Sequence, residues 1–403
     1  MMQSVKLNQV CKILNGYAFK SEEYQSEGVP LLRISNFDGG DVVVDDKSIY
    51  VDQSFLKTKT DFIVEKGDIL IALSGATTGK YGIYNYDFPS LLNQRIGLIK
   101  SSASSKLSGK YFYHFLNILK DEILRKAGGA AQPNISTKTI GELEIPLPPL
   151  PQQQKIANIL DAADALKQND KALIAKYDEL TQALFLDMFG DPVSNPKGWD
   201  VVKLKDISTK IHSGNTPKGG SEVYVETGIT FFRSQNVWKK RLVYEDIAFI
   251  DQETHSKMMK SSLKHKDILM TKTGRINTEN SSLGRAAIYL GEDDKANVNG
   301  HVYLIRLKKG ALNEFVLHIL TTKEYRGHIR SVCVGGIDKR QLNKEHIENF
   351  PIINPDMDLQ IRFSKQLEVI EEQKAIAQKS LEKSESLFNS LLQKAFKGEL
   401  TNL

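Results

Sequence analysis

Cysteine is nearly absent from this chain of 403 residues: Cys11 and Cys333 are the only two, one in each half. Two cysteines so far apart cannot make a disulfide framework or a zinc ribbon, and they fit a reducing compartment. Each is expected as a small buried hydrophobe rather than a nucleophile. Long hydrophobic runs are missing too. No stretch of about eighteen apolar residues is available to cross a bilayer, and no basic-then-apolar leader opens the chain. A soluble, cytoplasmic protein is expected. The eight histidines show no HxxxH spacing, and the carboxylates form no nuclease-like cluster. No tetrapeptide of the NPPY or DPPY type is present to hold a flipped adenine, and no glycine-rich methyl-donor loop follows a strand. Asn195-Pro196-Lys197 and Asn354-Pro355-Asp356 lack the second proline and the aromatic. Gly75-Ala76-Thr77-Thr78-Gly79-Lys80-Tyr81 looks superficially like a phosphate loop. It is one residue short between its glycines, and Tyr81 stands where a hydroxyl would reach magnesium. The chain is therefore expected to carry no catalytic residue, no metal site and no cofactor site of its own.

What is present is a duplication with a period near 200 residues. Val5-Lys6-Leu7 returns as Val202-Lys203-Leu204, and Leu31–Asn36 (LLRISN) as Phe231–Asn236 (FFRSQN). Lys66-Gly67-Asp68-Ile69-Leu70, closing at Ser74-Gly75, returns as His265-Lys266-Asp267-Ile268-Leu269, closing at Thr273-Gly274. Asn93-Gln94-Arg95-Ile96 is echoed by Asn299-Gly300-His301-Val302, and each half then has a Gly-Gly step, at 128–129 and 335–336. So long a period excludes a solenoid and indicates two copies of one domain. Charge is shared unequally between them. Residues 1–150 hold 17 Lys+Arg against 16 Asp+Glu, a net of +1; residues 197–350 hold 26 against 18, a net of +8. A basic domain attracts phosphate backbones, although a solvated surface has the same composition.

Within each copy, runs such as Asp68–Leu73 and Ile96–Lys100 have the β-branched, Gly-bounded character of strands. Phe112–Arg125 and Glu314–Arg330 have apolar residues three and four apart, as helices do. After the Pro146–Pro151 cluster the pattern changes. Ile156, Ile159, Ala163, Leu166, Leu173, Tyr177, Leu180 and Leu184 form a heptad seam with Asp170 in the missing slot. Phe363, Leu367, Ile370, Ala377, Leu381, Phe388, Leu391 and Ala395 form a second, interrupted by Lys374 and Ser384. Each predicts a helix of about 40 residues, about 60 Å long, and the two are expected to pair as an antiparallel coiled coil. Such a pair would act as a ruler, setting two DNA readers over base pairs a turn or more apart.

The strings PLPPLPQQQKIANIL (146–160), LDMFGDPVSNPKGW (186–199) and LLQKAFKGEL (391–400), in this order of domains and helices, resemble the specificity subunit of type I restriction–modification enzymes. The resemblance spans essentially the whole chain. It implies an α+β protein of two duplicated mixed α/β target-recognition domains, joined by two long antiparallel coiled-coil helices in a pseudo-twofold arrangement. The expected boundaries are 1–150 and 191–355 for the recognition domains, and 151–190 and 356–403 for the helices. It also implies double-stranded DNA, two methyltransferase (modification) subunits and two restriction subunits as partners. S-adenosylmethionine, ATP and magnesium would then be bound by those partners, and this chain would have no catalysis of its own. One departure is the second proline lead-in, reduced to Phe350-Pro351-Ile352-Ile353-Asn354-Pro355. A reading from a different class is a coiled-coil scaffold carrying two ligand-binding domains without DNA specificity. The +8 on the second domain favours DNA over that.

Arg, Lys, Asn and Gln read base edges in the major groove, so candidates were sought at matched landmarks. They are Arg33, Ser35 and Asn36 with Arg233, Gln235 and Asn236, the latter followed by the basic run Trp238, Lys239, Lys240, Arg241. The loops after the central strands add Ser74 and Lys80 in one copy, and Lys272, Thr273 and Arg275 in the other. Asn93, Gln94 and Arg95 stand opposite Asn299 and His301. The 75–81 loop either lays backbone N–H groups and Lys80 against phosphates or is an ordinary β-turn. Gln132-Pro133-Asn134 and Asp338-Lys339-Arg340 are secondary loop candidates. The alternative for Asn93 and Asn299 is a role as turn residues, and for Arg33 and Arg233 a role as structural ion-pair formers.

Overall fold

The computed structural model of the protein describes residues 3–38, 40–101, 106–128, 133–276, 278, 280–336 and 338–400. Gly129 of the first Gly-Gly step and the candidate Gln132 lie outside them. The chain divides into two compact units, one of Met1–Ala172 with Ala377–Leu403 and the other of Leu173–Ile376.

In the first unit a six-stranded sheet runs in the order Cys11–Asn15, Ile96–Ser101, Ile69–Ala72, Tyr81–Ile83, Asp41–Val42, Phe37–Asp38. Its central run Ile69–Ala72 is buried at all four positions, as expected of a strand covered on both faces. Alternation then divides the side chains. Ile69, Ile71 and Ile99 join Tyr111, Phe112, Phe115 and Leu119 of helix Gly109–Lys126 in one core. Leu70, Ala72 and Leu98 face the other way, into a core with Leu32 and Leu92. Those two leucines belong to a four-stranded sheet in the order Ile49–Val51, Val29–Leu32, Ser90–Leu92, Ile63–Val64.

The second unit repeats the plan. Ile268 and Met270 face Phe315 and Ile319, while Leu269 and Leu304 face Phe232 and Val298. The copies share a parallel pair, Leu32 beside Leu92 and Phe232 beside Val298; the first has another, Asp41 beside Ile83. Each copy is also closed by a short antiparallel clasp of Ser4–Lys6 with Glu144–Pro146, or Val201–Lys203 with Pro351–Ile353. The clasp carbonyl at Pro146 accepts from Tyr111 Oη at 2.8 Å, and that at Pro351 from Tyr325 Oη at 3.0 Å. Both cysteines are buried and free, and burial pushes the Cys11 thiol up to about 12.

Two expectations need correction. The helix expected over Glu314–Arg330 is broken into Asn313–Thr321 and Lys323–Val332. Thr322 takes extended dihedrals, and its hydroxyl accepts from the Tyr325 N–H at 3.2 Å, starting a new helix. The long helices run Leu150–Phe189 and Met357–Lys397, but the seam of the first differs from the heptad reading. One row, Ile156, Ala163, Asp170 and Tyr177, is at least partly buried as expected; the other lies one residue later, at Leu160, Lys167, Ile174 and Thr181. Leu166, Leu173 and Leu180 are 41–50% exposed. The shift was hidden because half of the true row is polar in type. Thr181 returns its hydroxyl to Tyr177 O at 2.9 Å. Lys167 lays its ammonium 4.3 Å from the Phe388 ring and pairs with Asp164 at 2.5 Å. The second seam is as expected: Phe363, Ala377, Ser384, Phe388 and Ala395 are all buried.

Within each unit the helix segments are antiparallel. In the first, Lys167 meets Phe388 and Lys171 meets Glu385; in the second, Asp178 meets Lys374 and Phe189 meets Phe363. Phe363 also touches Phe185, Phe315 and His318. Phe363→Ala is expected to cost about 3–5 kcal/mol, whereas Leu180→Ala should change stability by less than about 0.5 kcal/mol. Denaturant unfolding of the two variants checks this placement of the seam.

Candidate nucleic-acid interface

The candidate positions lie one step beyond the ends of adjacent strands, so the fold draws several of them together. In the first copy the Asn93 N–H donates to Leu32 O at 3.1 Å, placing Arg33 beside the Asn93–Arg95 turn. The Leu73 N–H donates to Arg95 O at 2.9 Å, and the Ile135 N–H donates to Leu73 O at 2.9 Å. The second copy repeats the three bonds: Asn299 N–H to Phe232 O at 2.9 Å, Lys272 N–H to His301 O at 2.8 Å, and Leu342 N–H to Lys272 O at 2.9 Å. Ser74 bridges Asn134, and Thr273 pairs with Gln341. The segments after the Gly-Gly steps, ranked second from the sequence, therefore belong to the same site.

The result in the first copy is a cleft of about 860 Å³ whose polar lining includes Asn15, Ser74, Gln94, Arg95, Asn134 and Ser136. In the second copy a cleft of about 450 Å³ beside the same loop is lined by Thr273, Arg275, Thr278, Ser281, Arg285 and Lys339, with Asp338; the 299–301 turn does not line it. Gln94, Arg95, Arg275 and Lys339 are exposed. Asn15 is not among the sequence candidates, although the repeat carries its signal. Asn15-Gly16-Tyr17 and Ser213-Gly214-Asn215 make the same bonds, Gly16 N–H to Ile96 O at 3.1 Å and Gly214 N–H to Val302 O at 2.8 Å.

Other candidates are used by the fold itself. Asn36 is buried; its Oδ1 accepts from the Arg33 N–H at 2.8 Å and its Nδ2 donates to Val43 O at 2.8 Å. Asn236 does the same with Arg233 at 3.0 Å and Val243 at 3.1 Å. Asn93 and Asn299 accept from the Arg95 and His301 N–H groups, as turn formers do. Arg233 pairs with Asp246 at 3.0 Å, and Gln235 donates to the same carboxylate at 3.2 Å. These two contacts hold the Asp246 carboxyl below its usual range and neutralise the arginine. Arg33 is half-buried over the Tyr24 ring at 5.8 Å, and Ser35 is exposed.

Three placements correct the sequence reading. Trp238, expected to stack on sugar or base, has a face covered by the Arg285 guanidinium at 3.7 Å. Lys240 places its ammonium 3.2 Å from His318 Nδ1, although the residue as a whole is exposed, as are Lys239 and Arg241. Lys80 lies apart from the cleft, in a hollow with Tyr113, Asp164 and Lys167. Lys272 sets its ammonium 5.8 Å from the Tyr303 ring, and His301 is exposed. The 75–81 loop is a turn: the N–H groups of Gly75, Thr78, Gly79 and Lys80 donate to Pro133, Gly75, Ala72 and Thr77 carbonyls. Those four are not free for phosphate.

The family of type I restriction modification DNA specificity domains matches this chain twice, over residues 1–176 and 196–385. The chain belongs to that family. The specificity subunit of the type I restriction enzyme EcoBI of Escherichia coli is 24% identical, over 98% of this chain and 86% of its own length. The MjaIX specificity subunit of Methanocaldococcus jannaschii is 28% identical, over 72% of this chain and 68% of its own length. Among solved structures, the type I restriction-modification S subunit from M. genitalium superposes with a TM-score of 0.55 at 18% identity, covering 98% and 96% of the two chains. That likeness is one of fold.

The boundary strings that carried the resemblance turn out to join domain to helix. Gln153 is fully buried and donates to Pro148 O and Lys106 O, both at 2.7 Å. Gln360 donates to Pro355 O at 2.8 Å, so the reduced second lead-in keeps this tie. Trp199 Nε1 donates to Phe189 O at 2.9 Å and Lys197 Nζ to Met188 O at 3.1 Å, satisfying carbonyls at the first long helix's end. Among the described residues, no group of three or more His, Cys, Asp and Glu is arranged to hold a metal ion, and no helix is long and apolar enough to cross a membrane. Because Asn236 closes a turn, Asn236→Ala should destabilise the protein by about 1–3 kcal/mol and leave the preferred DNA sequence unchanged. Thermal unfolding and binding-site selection on the same variant check both halves of that statement.

Proposed function

We propose that this chain recognises a bipartite, asymmetric DNA sequence and directs the methylation and cleavage carried out by partner subunits. The observation that carries this reading is the repeated frame: one set of backbone bonds under two different sets of exposed side chains. Amides and hydroxyls surround a single exposed Arg95 in the first copy, whereas Arg275 and Lys339 line the second. Asn and Gln suit adenine edges, and Arg suits guanine. Two such surfaces would favour two unlike half-sites. Direct base contacts are assigned to Gln94, Arg95, Asn134, Thr273, Arg275 and His301. Lys239, Arg241 and Lys339 are assigned to phosphates, which position without specifying.

In this reading two methyltransferase subunits and two restriction subunits assemble with the chain in the cytoplasm. S-adenosylmethionine, ATP and magnesium are theirs. The test uses the chain co-purified with its methyltransferase partner, with affinity for the preferred duplex measured across salt concentrations. Arg95→Ala is expected to cost about 1–3 kcal/mol and to relax one base position in one half-site; Arg275→Ala should do the same in the other. Lys239→Ala should weaken all sequences alike and lower the salt slope by about one. An Arg95→Ala variant that keeps full selectivity while losing affinity uniformly would remove Arg95 from the base readers.

A further inference from the structure

The two copies hold the same loop in opposite ways. Residues 36–43 and 236–243 are each closed by an asparagine amide, bonded to Val43 O or Val243 O. Four residues past that asparagine the chain turns through positive φ, +107° at Gly40 and +59° at Lys240. In the first copy Tyr113, on helix Gly109–Lys126, reaches toward the loop and donates its hydroxyl to Gly40 O at 3.3 Å. A Cβ at position 40 would stand 2.7 Å from that hydroxyl, so a side chain on the loop would displace the tip of the tyrosine from its bond. In the second copy the matching helix position is Leu317, which has no hydroxyl, and the loop reaches toward the helix instead. Lys240 sends its ammonium to His318 Nδ1, the counterpart of His114. Asp178 and Glu371 attract this ammonium and Lys374 repels it, while burial lowers its pKa to about 8. His318 is itself buried and pushed down to about 3, so it is neutral and its Nδ1 can accept.

We propose that Lys240 is a positioning residue of the second DNA specificity domain, whose inward contact with His318 turns Lys239 and Arg241 outward, with Tyr113 and Gly40 as the corresponding anchor in the first. All three residues of the run are exposed, but only Lys240 ties its ammonium to the helix. Fixing that one side chain sets the direction of its neighbours. The backbone supports the same geometry, with Lys240 N–H bonded to Ala286 O at 2.8 Å and Trp238 N–H to Arg241 O at 2.9 Å. The proposal rests on the reading of this loop as DNA-facing.

The experiment exchanges the anchors in the complex with the methyltransferase partner. Affinity for the selected duplex and for one with both half-sites scrambled is measured across salt concentrations, and unfolding is followed in parallel. Lys240→Gly is expected to weaken both duplexes alike, by about tenfold, and to lower the salt slope by about one to two. Lys240→Met, which keeps the stem and removes only the donor, should act in the same direction less strongly, guarding against a folding defect. Adding Leu317→Tyr to Lys240→Gly recreates the first copy's anchor and should restore most of the lost affinity and salt slope. Wild-type affinity in both single variants, or no rescue in a double variant that unfolds normally, would overturn the anchor while leaving the DNA-reading role intact. A wild-type complex that binds the two duplexes equally would overturn both.

Discussion

The site depends on one close approach of two backbones. A Cβ at Gly16 would lie 2.1 Å from Asn93 O, and one at Gly214 would lie 2.2 Å from Asn299 O. No side chain fits there, so the segment after the first sheet strand can be pressed onto the strand-end turn. From that contact the rest follows: the turn bonds the end of the parallel strand beside it, then the loop after the central strand, then the segment after the Gly-Gly step. Five chain segments are fixed along one edge by main-chain bonds. Main-chain bonds are indifferent to side-chain identity, so the frame tolerates divergence at every exposed position.

This division explains which polar residues are shared by the copies and which are not. Asn36 with Asn236 and Asn93 with Asn299 recur because they close turns; their amides are occupied within the fold. Gln94 faces Gly300 in the repeat, and Arg95 faces His301; Gln94, Arg95 and His301 are exposed. Recurrence across a duplication marks scaffold, and difference marks specificity. Charge follows the same pattern. The net +1 of the first copy and +8 of the second suit unequal reliance on phosphate contacts.

Much of this was legible in the sequence. The duplication, the two long helices, the buried cysteines and the converging landmarks could be read because they rest on period and composition. Other features could not. The first helix seam was misplaced because Lys167 and Thr181 are polar by type but settled by local partners, an aromatic face for one and a helix carbonyl for the other. The break at Thr322 depends on a hydroxyl competing for a backbone N–H, which apolar periodicity does not register. Lys239, Lys240 and Arg241 read as one basic run, since composition does not register that the middle ammonium meets His318. Trp238 reads as a stacking residue because its partner, Arg285, lies 47 positions away. Gln153 and Gln360 belonged to recognisable strings, yet only the fold reveals their buried bonds to the proline carbonyls.

If two copies of one domain read two different half-sites as a single split sequence, selection from a random duplex pool by the chain bound to its methyltransferase partner, sequenced after several rounds, returns two unlike specified blocks. An unread gap of constant length separates them. A single continuous motif, two identical half-sites, or no enrichment at both low and moderate salt would rule that division of labour out.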